Sequence, residues 1–330
     1  MPDKSSQVTT NQSRCFCTSH SRPFMLEMVT YLWRLHTTMC NAFLTLPAKK
    51  RQIFAGMVSA LDDSVGNITS YLKQAGLYDN SVIIFTTDNG GAGHGYDRSV
   101  GCNWPLRGMK STPWEGGVRG VGFVHSPLLA KPGRISEDLI HVSDWFPTMY
   151  RIAGGKVGSL PSNIYGKDVW DTVSSGAPSP RTEILLNIDP ISKYAALRVG
   201  DYKIIIGDND GGYWDGWYPP LEMNTVDYNP PMSDDPPVVS CSLPRPSNAS
   251  TNCKPFEAPC LYNIRNDPCE FYNIADWNQD ILAMLLTRVQ QLNATAVKPK
   301  NLPNDPKGNP ALHNGNWVPW VVLDNADRQG

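Results

Sequence analysis

The sequence predicts an α/β protein, with a mixed-sheet domain first and a smaller α+β domain with an antiparallel sheet after it. Three observations carry this. Met57, Leu61, Val65, Ile68 and Leu72 recur at three- and four-residue spacing, which is one face of a helix, and a β-branched run follows at 82–87. Two short β-rich runs, 195–199 and 202–206, are joined by Gly200-Asp201 and read as a hairpin. A last amphipathic stretch, 280–292, places Ile281, Leu285, Val289 and Leu292 on one side of a helix.

Each element has its own local reason. Gly76 closes the first helix as a C-terminal stop. The run at 82–87 is apolar on both faces and reads as a fully buried strand. Helix, short turn and buried strand together predict a parallel sheet. "GGVRGVGFVH", 116–125, gives another short strand after a glycine-rich turn. In 138–154 a strand-like piece leads into a helix through Ser143 as N-cap, with Pro147 in the first turn. Residues 155–182 and 207–260 are rich in Gly, Pro, Ser, Asp and Trp and read as irregular. "CLYNIRNDPCEFYNIA" is a short strand and turn. The domain reading is a divergent segment over 1–50, the α/β part over 51–190 and the small domain over 191–330. No internal repeat is visible.

Composition bounds the function. A chain of 330 residues at about 100–200 per domain gives roughly two domains. With 29 Lys+Arg against 31 Asp+Glu, the balance argues against a nucleic-acid partner and a polybasic membrane surface. No apolar run reaches the ~18 residues of a spanning helix. The first twenty residues have no apolar signal-peptide core. Yet four of the eight cysteines, Cys241, Cys253, Cys260 and Cys269, cluster in one region. They are either buried thiols or disulfides of an oxidising compartment, and four cysteines allow about three pairings. Glycosylation sequons stand at Asn11, Asn67, Asn248 and Asn293. A secretory-type body without a signal peptide leads to the expectation that the natural N-terminus is missing.

The chemistry concentrates after the strand at 82–87. In open α/β sheets ligands bind beyond the carboxyl ends of strands. Asp88 and Asn89 sit at such an end and offer two hard oxygens, suited to Ca2+ or Mg2+. Gly90 and Gly91 let the backbone turn and approach a ligand closely. The same four residues also suit a plain turn. "NWPLRGMKSTPWEGGVRG", 103–120, then adds Arg107, Lys110 and Arg119. Cations beside a divalent metal point to a tetrahedral oxyanion, sulfate or phosphate.

"AGMVSALDDSVGNI", "FTTDNGG", "NWPLRGMKSTPWEGGVRGVGFVHSPLL" and "SDWFPTM" together resemble the sulfatases, most closely those of arylsulfatase B (N-acetylgalactosamine-4-sulfatase) type. The resemblance is strong over 54–189 and resumes at "LRVGDYKIIIG", "CLYNIRNDPCEFYNIA" and "GNWVPW". It implies a partial alkaline-phosphatase-like fold with a small C-terminal antiparallel domain. It implies that Asp88 and Asn89 are metal ligands for Ca2+ and that Lys110 contacts the sulfate, with Arg107 a further substrate-binding candidate. It implies His36, in "LHTTMC", as the catalytic acid, although the proline that follows this histidine in the family is absent. "WEGG" would be structural, with a tight turn at Gly116 and Gly117. Location would be lysosomal or secreted, and the partner a sulfated carbohydrate, a glycosaminoglycan.

The chain also departs from the family. Sulfatases oxidise the cysteine of a Cys-x-Pro-x-Arg motif to formylglycine, their nucleophile, and Cys15, Cys17 and Cys40 all fail that pattern. The Asp-Asp pair that supplies the other metal ligands is missing too, because Asp62-Asp63 belongs to the helix motif. The expectation is a sulfuric ester hydrolase lacking its N-terminal part and inactive as given. A non-catalytic relative that binds sulfated glycans or a partner is the alternative. A phosphatase or phosphodiesterase of the same superfamily fits less well, because the "PLRGxK…WEGG" text argues against it.

Overall fold

The computed structural model describes residues 49–93, 100–207, 210–219, 239–241, 243–300 and 305–319. The chain divides into two compact units, Met1–Val289 and Gln290–Gly330.

The first described element is α1, Lys49–Gln74. Gly76 ends it in the left-handed region (φ +68°), where its amide donates to Lys73 O and the Leu77 amide to Leu72 O. The buried line of α1 is Gln52, Gly56 and Ala60. Met57 and Ile68, on the expected apolar stripe, are 46% and 50% exposed.

β1 (Ile83–Thr86) pairs antiparallel with β2 (Gly122–His125). Phe85 faces Phe123 across the pair, with ring centroids 5.2 Å apart. Two sequence expectations are corrected here. The strand at 82–87 is not fully buried, and its pairing is not parallel. A two-stranded ribbon covers neither face of itself, so β1 stays partly exposed.

Between these strands lies one helical turn, α2 (Glu115–Val118). After β2 comes α3 (Trp145–Ile152), entered through a short 3-10 turn at Val142–Asp144. The cap is His141, not Ser143: the imidazole Nδ1 accepts the Ser143 amide, and Asp144 returns the contact to the His141 amide. Asp144 is fully buried and also accepts from the Lys167 amide and from Arg181, whose Nε lies 2.7 Å away. Four donors thus compensate the carboxylate's burial. Burial and the nearby Arg181 charge hold the His141 imidazole below its ordinary pKa, against the opposing pull of Asp144. α4 (Trp170–Ser175) follows and ends at Gly176, φ +78°.

The second sheet is antiparallel, in the order β3 (Glu183–Asp189), β4 (Tyr194–Val199), β5 (Tyr202–Gly207) and β6 (Cys260–Asn263). The expected hairpin is β4–β5, with Val199 opposite Tyr202. β3 has no sequence expectation behind it, since an irregularity between Leu185 and Asn187 breaks its alternation. The cysteines pair as Cys241–Cys269 and Cys253–Cys260, with Cα atoms 5.6 and 5.7 Å apart. α5 (Gln279–Ala294) buries Leu282, Leu285 and Val289. The second unit carries 3-10 turns at Pro306–Gly308 and Pro310–His313, capped by Asp305 and Asn309. No helix among the described residues is long and apolar enough to cross a membrane.

A buried charge cluster ties α2 to the second sheet. Side chains alternate along β5, so Lys203 shares a face with Ile205. Ile205 packs in one core cluster with Trp114, Ala196, Tyr262 and the Cys253–Cys260 disulfide. Lys203 therefore points under the loop that begins α2. It is fully buried, and its Nζ lies 2.9 Å from Glu115 Oε1 and 2.9 Å from Glu270 Oε1. The Glu115 amide donates to Glu270 Oε2 at 2.8 Å.

One cation facing two carboxylates cannot satisfy both equally. Burial pushes both pKa values up. For Glu115 the charges of Lys203 and Arg198 outweigh burial and hold it below the usual range. For Glu270 burial wins and, with repulsion from Glu115, pushes the carboxyl up to about 7.

The folded protein thus keeps a proton on Glu270 that the unfolded chain releases near its ordinary value of 4.5. This group's contribution to stability falls as pH rises from 4.5 to about 7 and is lost above that. Urea unfolding of the wild type and Glu270→Gln at pH 5, 6, 7 and 8 is expected to show the wild type losing stability relative to the variant across this range. A difference that does not change with pH contradicts the assignment.

Candidate functional site

The site forms where the end of β1 meets the loop running into α2. Asp88 is exposed and Asn89 half-buried. The Asn89 amide donates to Asp88 Oδ1 at 2.8 Å, and Asn89 Nδ2 donates to Gly90 O at 2.7 Å. This orientation leaves Asn89 Oδ1 as the carboxamide's acceptor beside the Asp88 carboxylate.

The next two residues stitch the strand end to the loop. The Gly90 amide donates to Gly117 O at 2.9 Å, and the Gly91 amide to Asn103 Oδ1 at 2.6 Å. Asn103 Nδ2 donates back to Gly91 O at 2.8 Å, and the Lys110 amide donates to the same carbonyl at 3.3 Å. A Cβ on Gly90 would lie 1.7 Å from Gly116 O, and one on Gly117 would lie 2.3 Å from Thr112 O. Here glycine is demanded by backbone meeting backbone, which a turn alone would not require.

Lys110 is held in a tight turn. Thr112 Oγ1 donates to Met109 O at 2.8 Å, the Thr112 amide donates to that carbonyl at 3.0 Å, and Ser111 takes φ +74°. The structure therefore brings Asp88, Asn89 and Lys110 onto one braced backbone frame.

Arg107 has a different environment. It is 2% exposed and lies between Trp114 and Trp217, 3.6 and 4.6 Å from their ring centroids. Its Nε donates to Asp215 O at 2.7 Å and its Nη1 to the Tyr262 hydroxyl at 3.1 Å. Burial raises the Tyr262 phenol's pKa, keeping it a neutral acceptor for this contact. The guanidinium is engaged in anchoring the loop to the second sheet.

His36 lies outside the described residues, as do His94, Asn11, Cys15, Cys17 and Cys40. Asn67 in α1, Asn293 in α5 and Asn248 in a turn are all exposed. The residues that sequence reasoning missed are Asn103, Glu115, Lys203 and Glu270. Asn103 opens the quoted loop motif, but its role as a two-way clamp on Gly91 depends on contacts across twelve residues. Nothing in the local text pairs Lys203 with Glu115, 88 positions away.

The fit to Ca2+ follows from the donor set. Ca2+ takes about six to eight oxygen ligands. Asp88 and Asn89 supply hard oxygens side by side, and no group of three His, Cys, Asp or Glu suited to a metal occurs among the described residues. The donor chemistry of the pair suits Ca2+, and two residues alone fall short of its ligand set.

Residues 4–155 match the family model described as Sulfatase. Mouse arylsulfatase J is 37% identical over 297 residues, an alignment covering 84% of this chain and 46% of that protein. Mouse N-acetylgalactosamine-6-sulfatase is 31% identical over 198 residues, covering 56% of this chain and 35% of that one. The crystal structure of Ps i-CgsB in complex with k-i-k-neocarrahexaose superposes with a TM-score of 0.55 at 22% identity, covering 77% of this chain and 46% of that chain. That likeness concerns the fold, and with it the partial sulfatase (alkaline-phosphatase-like) α/β architecture is established. The chain spans about half the length of the curated relatives it matches.

The glycine contacts give a direct test of the frame. Gly90→Ala is expected to cost about 3 kcal/mol, because the new methyl meets a backbone carbonyl that cannot give way. Gly66→Ala, in α1 with nothing within 4 Å of the added Cβ, is expected to stabilise by about 0.5–1 kcal/mol. Chemical denaturation of both variants measures this, and similar stabilities for the two would contradict the geometry.

Proposed function

We propose that the chain is a member of the sulfatase family, whose model it matches over residues 4–155, and that it binds sulfate esters of the arylsulfatase B-like class at the end of β1. Lys110 carries the anion contact in this reading. Asp88 and Asn89 would hold Ca2+ through a carboxylate and a carboxamide oxygen. When bound, Ca2+ supplies positive charge that offsets the charge on the sulfate oxygens. His36 is the proposed proton donor to the leaving alcohol oxygen. Arg107 contributes by fixing the loop that presents Lys110.

The observation that carries the reading is the hydrogen bond from the Lys110 amide to Gly91 O. It couples the lysine's position to the turn that carries the two oxygen donors. An anion between a lysine and a cation held by Asp88 and Asn89 would receive charge from both sides.

The substrate class we assign is a sulfated carbohydrate, a glycosaminoglycan. The names of the relatives support it, since one acts on an N-acetylgalactosamine sulfate. The two disulfides and the exposed sequons at Asn67, Asn248 and Asn293 support a lysosomal or secreted location. Formylglycine does not fit the residues present, because no cysteine of the chain stands in a Cys-x-Pro-x-Arg sequence. No step is routed through it, and binding without turnover is the proposed behaviour of these 330 residues.

Calorimetric titration with an aryl sulfate, with Ca2+ or with EGTA, tests the proposal. The wild type is expected to bind more tightly with Ca2+. Lys110→Ala is expected to lose about tenfold or more in affinity, the scale of one charge-assisted hydrogen bond. Equal affinity in wild type and variant, or Ca2+-dependent release of inorganic sulfate by the purified chain, would overturn it.

A further inference from the structure

We propose that the chain carries a second binding element, a saccharide-binding cleft on the second-sheet side of the Lys110 loop, distinct from Lys110, Asp88 and Asn89. The cleft has a volume of about 410 Å³. That falls within the range of small-molecule sites, about 300–1,000 Å³. Tyr194, Tyr213, Tyr218 and Phe256 line it, with Arg107 and Trp114 also among its walls. Tyr213 is 79% exposed and Phe256 56% exposed. Two large rings left in water at one cavity are a cost unless something covers them.

The lining chemistry selects the ligand class. Ile205 is the one branched aliphatic side chain among the lining residues, and the other apolar surface is mostly aromatic. A purely aliphatic ligand would meet more Leu, Ile and Val. Flat rings with polar tips suit a molecule with an apolar face and hydroxyl edges, as a pyranose has. Ser250, Lys254 and Asp215 supply polar groups around the rings. Gly211, Gly212 and Gly216 complete the lining with backbone alone.

The walls are fixed in place. The Gly207 amide donates to Pro255 O at 2.8 Å, and the Cys253–Cys260 disulfide closes the segment that presents Phe256. The Tyr218 hydroxyl donates to Tyr213 O at 3.2 Å and receives the Gly216 amide at 3.3 Å. The Gly108 amide donates to Gly216 O at 2.8 Å, so the Lys110 loop and the cleft share a wall. A rigid, partly apolar site binds a ring without first having to order itself.

The choice of a glycosaminoglycan as the saccharide rests on the proposed function; the cleft itself does not. Calorimetry with a chondroitin 4-sulfate hexasaccharide and its desulfated counterpart separates the two. Tyr213→Ala and Phe256→Ala remove exposed rings and should fold normally. The desulfated hexasaccharide is expected to bind the wild type, and each ring variant is expected to weaken it at least tenfold. In Lys110→Ala the two hexasaccharides are expected to bind alike. Ring variants that bind the desulfated hexasaccharide like the wild type, or a wild type that does not bind it, overturn the cleft. Preference for the sulfated form that persists in Lys110→Ala, alongside weakened ring variants, overturns the sulfate reading and supports the cleft.

Discussion

The placement of the candidate site depends on one buried contact, the ammonium of Lys203 between the carboxylates of Glu115 and Glu270. Lys203 belongs to the second sheet, Glu115 opens α2, and Glu270 lies in the turn after β6. Glu270 reaches this position with φ +56°, an uncommon backbone for a residue with a side chain. A buried ion pair is often no more stabilising than a hydrophobic replacement of the same volume. What this one supplies is register: a shift of the loop would leave charges buried without partners. Arg107 acts in the same sense, since its planar head fits between two indole rings while its donors meet Asp215 O and Tyr262.

From this anchor the frame runs outward through backbone. Arg107 O accepts the Gly116 amide, Gly117 O accepts the Gly90 amide, and Gly91 O accepts the Lys110 amide. Each step needs a glycine or a bare carbonyl at close range. The residues proposed to meet sulfate and Ca2+ are thus the exposed end of a chain of contacts that begins in the core. The frame is largely backbone amides and carbonyls, clamped at Gly91 by the Asn103 carboxamide.

The sequence made some of this legible and not the rest. Gly76 as a helix stop and the Gly200-Asp201 hairpin were readable because their signals are local. Asp88, Asn89 and Lys110 were readable as candidates because hard oxygens and a cation follow a strand end. Arg107 carries the same charge as Lys110 three residues earlier in the motif, and only packing shows that its head group faces the core. Met57 and Ile68 have the right period and the wrong face, since the buried line runs through Gln52, Gly56 and Ala60 and periodicity alone does not fix the helix's rotation. The antiparallel pairing of β1 with β2 joins strands that begin 39 positions apart (83 and 122), and the periodicity of one strand does not report its partner's direction. The disulfide pairing was open among three choices and is decided by which segments the second sheet brings together.

The most direct test is amide hydrogen exchange in the wild type and in Lys203→Met, which keeps the volume and removes the charge. If the buried cluster orients the loop, the amides of Gly90, Gly91, Lys110 and Gly116 lose protection at least tenfold while the paired amides of β4 and β5 keep theirs. Unchanged protection in the loop, or equal loss across loop and sheet, would contradict the account.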